Sequence, residues 1–195
     1  MAYREAVTLQ SDLLDERLRS YTRLRGGYPI ALAGALWWLA LAAAGYAGVP
    51  QGVWIFGAAV ASGLLFPLAL GLSKLLGCDF MNERTAVTDV LFPAFTSMLL
   101  FWPMAISAWW SYPPLFPLIL GIGMSLHWPV IGWGYGKTVI YSAHAVSRAV
   151  ICFVIWNWLP WGRFTLLPLS VAAVYMATVL VILWDTRART SRLPV

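Results

Sequence analysis

Four polar residues in the stretch 137–148 are spaced so that a single helix face would carry all of them. At about 100° per residue, that face holds Lys137, Tyr141, His144 and Arg148 in a segment that is otherwise apolar through Trp158. Arg148 would lie roughly 16 Å beyond Lys137, near the middle of a bilayer core about 30 Å thick. A guanidinium at that depth costs at least about 2.5 kcal/mol unless a partner or water meets it. The stretch therefore predicts a membrane protein with a polar interior.

Two further ionisable residues fall inside other predicted spans. His127 is seven residues before Gly134, and His144 is seven residues after Lys137. Because these two helices would be antiparallel and joined by a tight turn, both histidines are expected at one depth, while Asp89 enters near the cytoplasmic end of its span. The six residues predict a cytoplasm-facing pocket with Arg148 as its floor, His144, Tyr141 and His127 as its walls, and Lys137 and Asp89 at its mouth.

The chemistry of this set favours the binding of an anion. Arginine holds an oxyanion through a fork of donors, and histidine makes occupancy depend on pH. The leading hypothesis is binding or transport of a small anionic or zwitterionic solute or lipid headgroup, with no catalytic residue. Two alternatives remain open: a structural or accessory subunit whose polar stripe only joins helices, and a membrane-embedded enzyme that acts on a lipid headgroup with His144 or His127 as general base.

Several motifs of other function classes are absent from the sequence. It contains no glycine-rich phosphate loop, no HExxH and no pair of deep carboxylates. Two histidines and a shallow aspartate lack the compact spacing of a dedicated metal site, so we expect neither metal nor cofactor. The charged tails are too sparse in Lys and Arg for nucleic-acid binding. An enzymatic activity is therefore not favoured.

Composition indicates that lipid is the solvent for most of the chain. Of 195 residues, 61% are hydrophobic and 11% are charged, and the mean hydropathy is +0.74. A soluble domain of this size cannot bury so much apolar surface.

The 27 mostly polar residues at the start predict no secretory signal peptide. Cys78 in a polar loop and Cys152 in a membrane helix are not expected to form a disulfide.

The predicted fold is all-α, with an amphipathic helix followed by six transmembrane helices. Residues 8–25 form the amphipathic helix, whose stripe of Leu14, Leu18 and Tyr21 would lie on the bilayer surface or on the bundle. The domain organisation is then a cytoplasmic helix at 1–27, a transmembrane domain at 28–184 and a basic cytoplasmic tail at 185–195. The six spans are expected at about 28–47, 53–72, 87–110, 115–135, 137–158 and 164–184.

The distribution of Lys and Arg predicts the orientation in the membrane. With the N-terminus inside, eleven of these residues lie on the cytoplasmic side, and Arg163 is the one on the outer side. The positive-inside rule therefore places both termini in the cytoplasm. The expected partners are the lipid bilayer and the small anionic ligand, with a homo-oligomer left open.

Short motifs along the chain resemble an uncharacterised bacterial family of multi-pass membrane proteins of about this length, a domain of unknown function. The motifs are the pair Gly26-Gly27, the run Pro67-Leu68, residues 74–77, His127-Trp128 and Tyr135-Gly136. The polar face of Tyr141, His144 and Arg148 has no counterpart in that pattern. The resemblance implies the membrane fold and a location in the inner membrane of a bacterium, and it supplies no activity.

Overall fold

The computed structural model describes residues 2–78 and 90–190, and every regular element among them is helical. The predicted all-α class is confirmed for this part of the chain. Within these two ranges ten α-helices follow one another, with 3-10 turns at Arg25–Gly27, Pro113–Leu115 and Pro160–Gly162. The helices are α1 Ala2–Arg23, α2 Tyr28–Tyr46, α3 Gln51–Ser62, α4 Leu65–Leu75, α5 Leu91–Leu99, α6 Trp102–Ser111, α7 Phe116–Gly123, α8 Trp128–Gly134, α9 Thr138–Trp158 and α10 Leu166–Thr190.

Four segments of the described chain are long and apolar enough to cross a membrane. They are Arg25–Tyr46, Pro113–Gly134, Thr138–Trp158 and Leu166–Arg189. Helices α3 and α4 together pass the same test but are bent by 53° at their junction, so the number is five if this pair is one span. The chain is thus a helical protein compatible with a bilayer, and a sixth span at 87–110 stays a prediction.

Three of the predicted spans contain breaks that the hydropathy pattern did not reveal. The breaks separate α3 from α4, α5 from α6, and α7 from α8. Pro67, Pro103 and Pro129 each lie in the first turn of the helix that follows a break. Proline has no N–H to donate and fits the first turn of a helix, so it begins a new helix at these points. The carbonyl of Ser125, four residues before Pro129, accepts instead from the N–H of Trp128 at 3.1 Å.

Helix α10 packs along both α2 and α9 and forms the centre of the bundle. Close approach to α2 depends on glycine, since a Cβ on Gly34 would lie 2.5 Å from the ring of Tyr175. At the far end of α2, Gly45 packs against the backbone of Phe164. Small residues at such crossings let helix backbones come close together. This packing brings the middle of α9 against the middle of α10.

The amphipathic helix α1 lies on the bundle, which was one of the two placements predicted. Leu14 and Leu18 pack over Gly136, in the turn between α8 and α9. The guanidinium of Arg17 lies 4.4 Å from the ring centroid of Trp133. Tyr21 is fully buried, and burial together with the nearby Asp185 carboxylate raises its pKa well above the usual value. Helix α1 therefore covers the end of the bundle where α8 meets α9.

Candidate functional site

Arg148 lies near the middle of α9 and is completely buried. Its Nη1 donates to the hydroxyl of Tyr175 on α10 at 2.8 Å. The guanidinium carbon also lies 5.1 Å from the ring centroids of Trp38 and Tyr175, so α2 and α10 both enclose the charge. Cation–π contacts of this kind stabilise a desolvated guanidinium by about 2 kcal/mol. One hydroxyl and two aromatic faces are thus the observed surroundings of a charge at mid-bundle depth.

The other edge of the Arg148 guanidinium has no hydrogen-bond acceptor among the described residues. Both Nε and Nη2 are buried without a partner. Their N–H bonds point in parallel from one edge of the planar group, which is the fork that holds two oxygens of a carboxylate or phosphate. The indole nitrogens of Trp38 and Trp128 are also buried and unpaired within this part of the protein. The cluster therefore has more donors than acceptors.

His144 lies one turn before Arg148 on the same buried face of α9. Its Nδ1 is 2.8 Å from the hydroxyl oxygen of Thr178 on α10. The imidazole stacks on the ring of Trp128 with centroids 4.2 Å apart and meets the edge of Tyr175 at 4.6 Å. Its Nε2 is buried and has no partner in the described segments. Tyr175 thus contacts both His144 and Arg148.

Tyr141, one turn earlier again, connects α9 to the turn that precedes α2. Its hydroxyl donates to the carbonyl of Gly26, and its ring stacks on Trp128 with centroids 5.6 Å apart. Gly26 and Gly27 have φ of +60° and +62°, a conformation that glycine adopts without strain. A Cβ on Gly26 would lie within 3.0 Å of Tyr21, Tyr141 and Ile182. The glycine pair therefore allows this turn to close over the polar face of α9.

Lys137, at the start of α9, has a partner that the sequence analysis did not identify. Its Nζ lies 2.6 Å from Oδ2 of Asp185 on α10, and 5.3 Å from the ring centroid of Tyr21. Asp185 was missed because the sixth span was expected to end at Trp184, whereas α10 continues as one helix to Thr190.

His127 lies in the break between α7 and α8, next to the cluster but not in direct contact with Arg148. Its ring packs on Phe95 of α5 at 4.9 Å and on Trp128 at 5.9 Å. Trp128 in turn stacks on His144, so one indole links the two histidines. Asp89, predicted at the mouth of the pocket, lies outside the described residues. The structure therefore brings together Arg148, His144 and Tyr141, with His127 behind Trp128 and Lys137 at the α1 end.

The predicted pocket is closed in this structure. Arg148 has no exposed surface, and the rings of Trp38, Trp128 and Tyr175 pack around it and His144. Two surface concavities of the described chain lie elsewhere. One is lined by the α1 residues Asp12, Glu16, Arg19 and Arg23, and the other by Pro103, Met104, Ser107, Ala108, Ser111, Leu115 and Ile119 of α6 and the start of the next span. Arg148 has no opening to the surface in this conformation, and a path to it from the cytoplasmic side stays a prediction.

Helix α10 contributes the residues that the sequence analysis overlooked. Tyr175, Thr178 and Asp185 occupy one face of α10 at a helical spacing of three and seven residues. Hydroxyl side chains occur often in apolar spans, and their spacing alone does not identify the facing helix. Trp38 and Trp128 were overlooked for a similar reason, because the sequence contains twelve tryptophans. A search for polar residues on one face of the last span would have found Tyr175, Thr178 and Asp185.

Comparison with known proteins identifies a family. A family described as a family of unknown function, DUF7010, matches residues 13–185, which covers most of the chain. No curated protein and no solved structure matches. The match agrees with the resemblance inferred from the short motifs, and it carries no activity.

Proposed function

The chain belongs to this family of unknown function, and we propose that it binds a small ligand bearing an oxyanion at the buried guanidinium of Arg148. The ligand is a solute or a lipid headgroup, and the protein carries or retains it within the bilayer. The observation that supports this proposal is the unpaired fork of Nε and Nη2 on a residue with 0% exposure. A buried charge is stable only when it is paired and hydrogen-bonded, and an oxyanion supplies both conditions at once.

The electrostatics of the described residues favour an anion over a cation. The acids with described side chains are Asp12, Asp15 and Glu16 on α1 and Asp185 near the end of α10, and Asp185 pairs with Lys137 and Arg189. None of them forms an ion pair with Arg148 in this part of the chain. The positive charge of the site is therefore left for a ligand to balance.

Topology is part of the same proposal. Six spans would place both termini in the cytoplasm of a bacterium, with α1 on the cytoplasmic end of the bundle and Arg163 at the outer end. Arg163 there donates to the Trp156 carbonyl at 3.0 Å and lies over the indole of Trp156 at 4.5 Å. In this arrangement the ligand reaches Arg148 from the cytoplasmic side when α1 and the Gly26-Gly27 turn move away from Tyr141.

Ligand-induced thermal stabilisation tests the proposal. The purified protein in lipid nanodiscs is titrated with inorganic phosphate, acetate and an anionic lipid, and its unfolding temperature is followed by intrinsic tryptophan fluorescence. We expect at least one oxyanion to raise the unfolding temperature of the wild-type protein. We expect Arg148→Gln to abolish the effect and Arg148→Lys, which keeps the charge without the fork, to weaken it.

Arg163→Gln is the matched control, because Arg163 lies in a loop and is bound to a carbonyl and an aromatic ring. This variant should respond to the ligand as the wild-type protein does. Full retention of the stabilisation in Arg148→Gln would remove the proposal. The Arg148→Lys variant keeps the test valid if the glutamine variant fails to fold.

A structural role is the second candidate, and the complete enclosure of Arg148 favours it. In that case the guanidinium only joins α2, α9 and α10 through Trp38 and Tyr175. Replacing buried charged groups by apolar residues of similar volume often leaves the free energy of unfolding unchanged or raises it. An Arg148→Met variant as stable as the wild-type protein, together with no response to any anion, would support this candidate.

A further inference from the structure

The hydrogen bonds of Thr178 decide which nitrogen of His144 carries the hydrogen. The Thr178 hydroxyl oxygen lies 2.8 Å from the carbonyl oxygen of Val174, one turn earlier on α10. A carbonyl oxygen has no hydrogen to donate, so the hydrogen of this bond comes from Thr178. The single hydroxyl hydrogen is therefore donated to Val174. The hydroxyl oxygen of Thr178 also lies 2.8 Å from Nδ1 of His144. Because its hydrogen is already used, this oxygen accepts a hydrogen bond from Nδ1. In the neutral imidazole, Nε2 is then a bare lone pair.

This lone pair is buried on the face of α9 that also carries the unpaired fork of Arg148. His144 Nε2 has no donor among the described residues, and the two side chains are one turn apart on the buried face of α9. Both contact Tyr175, the imidazole at 4.6 Å between centroids and the guanidinium carbon at 5.1 Å from the ring. The site thus presents two parallel donors and one acceptor on the same side of the helix. A ligand that satisfies all three must both accept and donate.

We propose that the ligand is an oxyanion that carries its own hydrogen, such as hydrogen phosphate or a phosphate monoester group. This inference rests on the oxyanion site proposed above and names its ligand class. Two oxygens of the ligand accept from Nε and Nη2 of Arg148, and the hydroxyl of a third oxygen donates to Nε2 of His144. No bond is formed or broken, and the hydrogen stays on the ligand.

The same geometry rejects oxyanions without a hydrogen. Sulfate and phosphodiesters match the Arg148 fork, but they present an oxygen lone pair to the lone pair of His144 Nε2. A site built to receive a hydrogen bond discriminates strongly against an analogue that lacks the donor, because a buried polar atom is then left unpaired. Thr178 is the positioning residue, since it holds the hydrogen on Nδ1.

The first experiment compares inorganic phosphate with sulfate at equal ionic strength and at pH about 6. Thermal unfolding of the wild-type protein in nanodiscs gives an apparent affinity for each anion. We expect phosphate to bind at least about 10-fold more tightly than sulfate, a difference that one lost hydrogen bond in a buried site produces. Equal affinities that both disappear in Arg148→Gln would overturn this inference and leave the oxyanion site intact. No stabilisation by any anion would remove both proposals.

Thr178→Val tests the role of the tautomer. Valine keeps the shape of threonine but cannot accept from Nδ1, so His144 is free to place its hydrogen on Nε2. We expect the preference for phosphate over sulfate to fall to about 2-fold or less, while the affinity for sulfate is kept or increased. The control is Thr186→Val, because Thr186 is also buried on α10 and also donates to its own helix, at Ile182. An unchanged ratio in Thr178→Val would overturn the assignment.

The same unfolding experiment with two different lipids distinguishes a lipid headgroup from a free solute as the ligand. Nanodiscs of phosphatidylcholine are doped with phosphatidic acid, whose monoester keeps a hydrogen on about half of the molecules at pH about 6. A matched set contains phosphatidylmethanol, a diester with no hydrogen to donate. Stabilisation by phosphatidic acid alone assigns a lipid ligand, and stabilisation by inorganic phosphate alone assigns a solute. Equal stabilisation by both lipids contradicts the requirement for a hydrogen.

Discussion

Lys137 and Asp185 form a 2.6 Å ion pair that joins the residue just before α9 to the last turns of α10. The side chains are 12% and 24% exposed, so the pair is shielded from water more than a typical surface pair. Lys137 also lies over the ring of Tyr21, which belongs to α1. One ammonium group thus holds three elements together at the end of the bundle that α1 covers.

The strength of this pair is testable with a double-mutant cycle of Lys137→Met and Asp185→Asn. We expect a coupling free energy of about 1 to 2 kcal/mol in chemical unfolding, because partial burial reduces screening of the two charges. The matched cycle uses Arg189→Met, since Arg189 meets the same carboxylate at 3.4 Å and is 40% exposed. That coupling should be below about 0.5 kcal/mol. Equal values in the two cycles would contradict the structural role of Lys137.

Tyr175→Phe removes the one hydroxyl that accepts from Arg148 and keeps the ring that Gly34 accommodates. Hydrogen bonds to a charged group contribute about 1.5 to 3 kcal/mol, so the free energy of unfolding should fall by that amount. The matched control is Tyr112→Phe, because the Tyr112 hydroxyl accepts from Arg163 at 3.3 Å in an exposed position. Thermal unfolding of both variants is the measurement, and a loss in Tyr112→Phe as large as in Tyr175→Phe would refute the prediction.

Gly26→Ala should separate α1 from the bundle. Both Gly26 and Gly48 have positive φ, so alanine costs about 1 kcal/mol of backbone strain at either position. A Cβ at Gly26 also lies 2.6 Å from Ile182 and from Tyr21, whereas Gly48 has no atom within 4 Å. We therefore expect Gly26→Ala to lower the unfolding temperature clearly more than Gly48→Ala. It should also raise the rate at which trypsin cleaves α1, and equal effects of the two variants would disprove this account of the turn.

Cysteine labelling of intact cells tests the six-span topology. A membrane-impermeant thiol reagent should label Asn157→Cys at the outer end of α9, and it should not label Ser11→Cys in α1 or Arg187→Cys near the end of α10. The native residues Cys78 and Cys152 are buried and give a low background. With five spans the two termini would lie on opposite sides, so labelling of Ser11→Cys or Arg187→Cys alone would refute the six-span count.

The sequence by itself determined the helical class and the polar face of α9. The spacing of Tyr141, His144 and Arg148 is a local property, because a helix places residues three and four apart on one face whatever surrounds it. The three side chains are indeed buried together in the structure. High hydropathy similarly indicates long apolar helices without reference to their neighbours.

Only the tertiary structure decided which groups meet that face. Tyr175 and Thr178 reach Arg148 and His144 because α10 packs closely on α2, where Gly34 makes room for the Tyr175 ring. Such contacts join residues about thirty positions apart, and no local period encodes them. Hydrogen bonding follows from this packing, since Nδ1 of His144 meets the Thr178 hydroxyl and Nη1 of Arg148 meets the Tyr175 hydroxyl. A residue's neighbours in the chain are given by its sequence, but its hydrogen-bond partners follow from long-range packing.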